Sequence, residues 1–162
     1  MWPGGARSAR LPSGIMPRFI ASFFGSGLIL GRVRGSHAGS GTVGSLLALG
    51  IAFLIPPLYG RVAALGATIV LGIWAIQALK LGDDDPGWVV IDEAAGVFLA
   101  TIGLGPVAAV VAWVVFRAAD IAKKAFPGVA AAEKVSGGIM ADDLVAGLYG
   151  LAAGWLVEVV IR

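Results

Sequence analysis

The 162-residue chain contains no cysteine and a single histidine, His37. Without cysteine there is no disulfide, no thiolate nucleophile and no cysteine-based zinc site. One histidine excludes any mechanism that needs two. Charge is scarce as well: Asp, Glu, Lys and Arg make up 14% of the residues, against about 25% in ordinary soluble proteins. The net charge is only +2, and no nucleic-acid partner is expected. Apolar residues fill the gap at 58%, where roughly 45–50% is usual. That excess points to lipid, and the length suits one domain with a continuous core.

The first 18 residues, MWPGGARSARLPSGIMPR, are basic, rich in Pro and Gly, and free of acids. No clean apolar core with a small-residue cleavage site follows, so the stretch does not read as a secretory signal. It is expected to be a disordered cytosolic tail whose arginines can approach anionic headgroups, ahead of a single helical domain over residues 19–162. Within that domain FIASFFGSGLILG is short and glycine-broken, more a buried or re-entrant segment than a span. Five longer helices are predicted at Thr42–Ile55, Val62–Leu79, Trp88–Leu104, Pro106–Ala122 and Leu144–Ile161. Pro56-Pro57 ends the first, and Pro106 suits a first turn. No run alternates with period two for long, so strands are not expected. The expected fold is all-α: a membrane-associated bundle of about five long helices plus the short N-terminal segment.

The charges order this bundle. With the Arg-rich N-terminus in the cytoplasm and five crossings, every Lys and Arg but Arg61 and Arg162 faces the cytoplasm, the positive-inside bias. The same assignment gathers every acid but Glu158 at the cytoplasmic ends. Four chain segments thus deliver carboxylates to one face.

Asp92 and Glu93 are expected one turn inside an apolar helix, where an ionised carboxylate is costly unless paired or bound to metal. Metal ligation or substrate work competes there with a salt bridge to Arg117 or a lysine. Asp142 and Asp143 open the last helix, where the dipole and free amides favour acids. One aspartate suffices for a cap, and two suit a metal site. Arg117, Asp120 and Lys124 share a helical face, either as an intrahelical salt bridge or as an acid beside cations for phosphate oxygens. In GTVGS, Thr42 or Ser45 can cap a helix while nearby amides form an anion nest. The spacing and lysine of a nucleotide-hydrolase phosphate loop are absent. Asp83 and Asp84 read as solvated loop acids, Asp85-Pro86 as a turn, and His37 as a loop residue. Hard oxygen ligands without cysteine or clustered histidine favour Mg²⁺ over Ca²⁺ or Mn²⁺.

Five blocks in order, FGSGL (Phe24–Leu28), GTVGS (Gly41–Ser45), DPGWVVIDEAAGV (Asp85–Val97), FRAADIAKK (Phe116–Lys124) and GGIMADDLVAG (Gly137–Gly147), together resemble the phosphatidylglycerophosphatase A family, Mg²⁺-dependent lipid phosphatases of the bacterial inner membrane. Ser40 stands where the family pattern has proline, and Lys123-Lys124 where it has Lys-Pro. The resemblance implies removal of the terminal phosphate from phosphatidylglycerophosphate at a site facing the cytoplasm, with an anionic phospholipid and the membrane as partners and homo-oligomerisation left open. The expected metal ligands are Asp92, Glu93, Asp142 and Asp143; the catalytic acids are Asp120 and Asp143; the phosphate contacts are Thr42, Ser45, Arg117, Lys123 and Lys124. A CDP-alcohol phosphotransferase would need a spaced aspartate signature that the chain lacks. The rival reading is a non-enzymatic membrane protein, a transporter or ion-binding scaffold, with its acids at the bilayer midplane.

Overall fold

The computed structural model describes residues 14–81, 86–132, 134 and 140–162, and every regular element among them is helical. The glycine-broken segment is two short helices, α1 (Ile15–Ala21) and α2 (Ser26–Arg34). Between them Phe23, Phe24 and Gly25 take left-handed backbone angles, with φ of +44°, +59° and +86°, and the chain turns sharply. The tail boundary expected at residue 18 falls inside α1, because Pro17 sits in the first turn, where no amide hydrogen is needed. Residues 1–13 lie outside the described part.

Next come α3 (Ser40–Leu54), α4 (Tyr59–Leu79), α5 (Ile91–Ala100), α6 (Pro106–Ile121), a 3-10 turn (Lys123–Ala125), the single turn α7 (Val129–Ala132) and α8 (Ala141–Ile161). Among the described residues only α4 and α8, 21 residues each with mean hydropathies of 2.0 and 1.9, are long and apolar enough to cross a membrane. Their outer faces expose Val70, Leu71 and Trp74 on α4 and Trp155, Leu156 and Val160 on α8. Such patches are a liability in water and an ordinary surface in lipid. Five crossings do not follow, since α3 has 15 residues and α6 has 16.

The helix expected over Trp88–Leu104 contracts most. At its start the Val90 amide donates to Ala21 O at 3.0 Å, which ties an irregular stretch to α1. At its end the Thr101 hydroxyl donates back to Val97 O at 2.8 Å, and Gly103 turns the chain with φ of +74°. Ten residues remain, about 15 Å of helix and half the hydrocarbon thickness. α5 is therefore no span. It is the axis of the bundle, packed against α3, α4, α6 and α8, with only Glu93 and Leu99 not fully buried.

Glycine sets how closely the other helices approach that axis. A Cβ on Gly147 of α8 would lie 2.8 Å from Gly96 O of α5, and one on Gly150 would lie 2.5 Å from Ala112 O of α6. Both are closer than real Cβ atoms come, so the backbones touch directly, as small residues permit between helices in lipid.

Charges secure the far end. Buried Arg61 donates to Ala52 O at 3.0 Å, Thr101 O at 2.5 Å and Leu104 O at 2.9 Å, capping carbonyls where α3 and α5 finish. Glu158 accepts from the Gly105 amide at the start of α6 (2.8 Å) and from Arg162 (2.9 Å).

The packing predicts opposite outcomes at two glycines. Gly150→Ala should lower the thermal midpoint in detergent, at a cost of about 1–3 kcal/mol from overpacking. Gly66→Ala, in open space on α4, should hold or raise it, since alanine is the better helix former. Equal midpoints for the two variants would contradict the glycine-set spacing.

Candidate active site

α5 and α8 begin alike. Each has two acids as its second and third residues, Asp92-Glu93 and Asp142-Asp143, and each follows an apolar residue, Val90 or Met140, that offers no side-chain cap. The first-turn acids therefore complement the partial positive charge of the helix ends. Asp92 and Glu93 lie in the first turn, not one turn inside as the apolar flanks had suggested. Gly96 against Asp143 O and Gly147 against Gly96 O bring the two helix starts together.

One carboxylate oxygen each from Asp92, Glu93 and Asp143 lies within 4.8 Å of the others. Asp92 Oδ1 accepts from the Glu93 amide at 3.0 Å. Glu93 Oε2 and Asp143 Oδ1 are buried with no hydrogen-bond partner. Burial pushes the Glu93 carboxyl above its ordinary range, and the nearby Asp120 adds to the push. Asp120 and Asp142 also lie close to Asp143.

The start of α3 closes one side of this acid group. A side chain at Gly41 would collide with Glu93 Oε1 and press on Arg117 Nη1, so glycine lets the α3 backbone sit on both. Thr42 follows, and its hydroxyl accepts from Arg117 Nη2 at 3.3 Å. α6 supplies Arg117 and Asp120, paired at 2.5 Å across one helical turn, and the 3-10 turn supplies Lys123, paired with Asp142 at 2.6 Å. Arg117 Nε is buried without a partner.

Not every expected residue joins the group. Asp142 turns to Lys123 and stands outside the carboxylate trio. Ser45 is occupied by structure: its hydroxyl accepts from Trp113 Nε1 at 3.1 Å and donates to Thr42 O at 3.1 Å, bracing Thr42 from behind. Lys124 is exposed beyond the end of α6 and does not continue the Arg117–Asp120 face. His37 is a loop residue held against Gly27 O at 3.2 Å. Asp83, Asp84 and Asp85 lie outside the described residues. Sequence reasoning missed Trp113 and the steric role of Gly41. A glycine between two hydroxyl residues at a helix start was the available signal for the second, and nothing local marked the first.

Three buried carboxylates with two unpartnered oxygens form a hard donor set, and removal of such charges from water is costly unless a cation compensates. The set fits Mg²⁺. Fold and site together define the class: an all-helical, membrane-associated protein with a carboxylate centre suited to a divalent cation, and cations beside it suited to phosphate oxygens.

Comparison with known proteins names the family. The family model for phosphatidylglycerophosphatase A matches residues 19–158, and the chain belongs to this family of lipid phosphatases. It is also 32% identical over 161 residues, covering 88% of this chain and 96% of the other, to a Bacteroides thetaiotaomicron protein named "Putative phosphatidylinositol-3-phosphatase". No solved structure matches.

The trio predicts a cation-dependent stability. At a Mg²⁺ concentration a hundredfold above Kd, unfolding should cost about 2.7 kcal/mol more than in chelator, read as a rise in thermal midpoint. Glu93→Gln should abolish the rise and leave the metal-free protein at least as stable as wild type, because a repelling buried charge is gone. An unchanged Mg²⁺ response would place the cation elsewhere.

Proposed function

We infer that the chain is a Mg²⁺-dependent phosphatase that hydrolyses the terminal phosphomonoester of phosphatidylglycerophosphate, releasing phosphate and leaving phosphatidylglycerol, in glycerophospholipid synthesis at the cytoplasmic face of a bacterial inner membrane. The observation that carries this reading is the buried trio Asp92, Glu93 and Asp143, with unpartnered oxygens, beside Arg117 and next to the Lys123–Asp142 pair at the start of α8. A phosphoryl group needs that neighbourhood, because its hydrolysis depends mainly on positioning and on neutralising charge.

The roles follow from the contacts. Asp92, Glu93 and Asp143 would hold Mg²⁺, which when bound supplies Lewis-acid neutralisation of phosphoryl oxygens and an acidified water. Arg117 offers a planar fork to two phosphate oxygens, with the Thr42 hydroxyl beside it. Lys123 adds a point charge. Asp120, next to Asp143, takes a proton from the attacking water as the oxygen–phosphorus bond forms in line. The bond from phosphorus to the glycerol oxygen breaks, and that oxygen takes up a proton.

A lipid substrate also suits the apolar cavity of about 230 Å³ lined by Phe23, Phe24, Ala64, Ala67, Ile91 and Phe98. Ile91 directly precedes Asp92, so an acyl chain can lie under the site that takes its headgroup.

Phosphate release by the purified protein tests the reading. Mg²⁺-dependent release from phosphatidylglycerophosphate is expected, and Asp143→Asn should lower kcat at least about 100-fold, the size of loss when a group that stabilises transition-state charge is removed. Phosphatidylinositol 3-phosphate is the comparison substrate, given the name of the relative. Preference for it would reassign the substrate, and no metal-dependent release from either by folded protein would refute the phosphatase reading.

A further inference from the structure

Residues of α1 and α2, with His37, line a second cavity of about 530 Å³. Its walls are of two kinds. Ile15, Phe19 and Leu28 are apolar, while Arg18, Arg32 and His37 are basic, and among the described residues no acid lines it. Among the described residues neither Arg18 nor Arg32 forms an ion pair. The Arg18 guanidinium lies 5.1 Å from the centre of the Trp88 ring, which orients the charge without neutralising it.

The cavity is built, not incidental. His37 Nδ1 donates to Gly27 O at 3.2 Å, since a carbonyl can only accept. Gly31 makes room for that ring: a Cβ there would lie 2.7 Å from His37 Nε2. Gly27 also lies against the Trp88 carbonyl, seating α2 on the segment that leads into α5. From α2 the chain runs through Gly35–Gly39 directly into the start of α3. Its apolar wall is exposed: Ile15 is 65% and Phe19 46% accessible. Unpaired arginines beside exposed apolar side chains characterise elements that rest at the lipid–water boundary.

Two kinds of occupant fail one wall or the other. A small inorganic anion would use the arginines and leave the apolar wall unsatisfied. A bare acyl chain would leave two cations uncompensated. We propose that the α1–α2 cavity binds the phosphodiester headgroup of an anionic phospholipid, with Arg18 and Arg32 on its phosphate oxygens and Ile15, Phe19 and Leu28 against the adjoining acyl chain. The site is separate from the carboxylate centre and does not depend on the phosphatase reading. Its ligand chemistry is shared by a bulk membrane lipid and by the internal phosphodiester of a lipid substrate.

The test uses the full chain in non-ionic detergent micelles with tail-labelled phosphatidylglycerol, and phosphatidylcholine as the zwitterionic control. Phosphatidylglycerol should bind more tightly than phosphatidylcholine. Arg18→Gln and Arg32→Gln should each weaken it about fivefold and together about 25-fold, as expected for about 1 kcal/mol per cation. Arg34→Gln, an exposed arginine outside the cavity, should leave binding unchanged, and all variants should keep the Mg²⁺-dependent rise in thermal midpoint. Equal binding of the two lipids, or wild-type affinity in the double variant, overturns the proposal. If the double variant raises KM for a lipid phosphate and phosphatidylglycerol competes with it, the cavity takes the substrate's own phosphodiester; an unchanged KM assigns it to bulk lipid.

Discussion

The arrangement rests on the backbone contact of α5 with α8. Gly96 and Gly147 remove the side chains that would hold these helices apart. Their first turns then meet, and carboxylates from both fall within 4.8 Å of one another. Any larger residue at either glycine would widen the acid group before it touched an acid. The packing rule that lets helices associate in lipid is here also the rule that sets the spacing of the carboxylates.

The opposite end explains why α5 can be so short. A ten-residue helix at the centre of an apolar bundle has unsatisfied amides at one end and unsatisfied carbonyls at the other. Arg61 meets the carbonyls of both α5 and α3, while Asp92 and Glu93 sit at the amide end. Positive charge at the carbonyl end and negative charge at the amide end both follow the dipole. Arg61 is thus a fixed point that sets the depth of α5, and with it the depth of Glu93, although it lies on the far side of the molecule. Glu158 does the corresponding work for α6 through Gly105.

Much of this was legible in the sequence, and its failures share a cause. The long apolar runs of α4 and α8 and the Pro106 start of α6 declare themselves locally, so those helices came out nearly at their observed limits. Trp88–Val90 and Thr101–Leu104 are as apolar as α5, and hydropathy could not separate them from it. Their irregular backbone depends on partners far along the chain, Ala21 for Val90 and Arg61 for Thr101 and Leu104. Within the site, Asp92 and Glu93 announced themselves as acids that apolar surroundings do not tolerate alone, and Asp142-Asp143 as a pair where one acid suffices for a cap. Asp142 and Asp143 could not be told apart, because neighbouring residues on a helix point about 100° apart and only the position of Lys123 decides which one turns away. Ser45 was beyond local reading for the same reason, since its hydrogen-bond partner is Trp113 of α6.

The charges of the site also constrain the order in which it can fill. Fully ionised, Asp92, Glu93, Asp120, Asp142 and Asp143 contribute −5, and Arg117 and Lys123 contribute +2, for a formal −3. Both cations are already engaged, with Asp120 and Asp142. A phosphate ester approaching this arrangement meets net negative charge in a poorly screened, largely buried setting, where like charges repel far more strongly than in water. A divalent cation on the trio would bring the formal charge to −1 and relieve Glu93 and Asp143, whose unpartnered oxygens have the most to gain. Compensation of the trio also weakens the demand that the remaining acids place on Arg117 and Lys123, which can then turn to an incoming anion. On the proposed reading, the same carboxylates that would attract a cation would exclude an anionic substrate until that cation is in place.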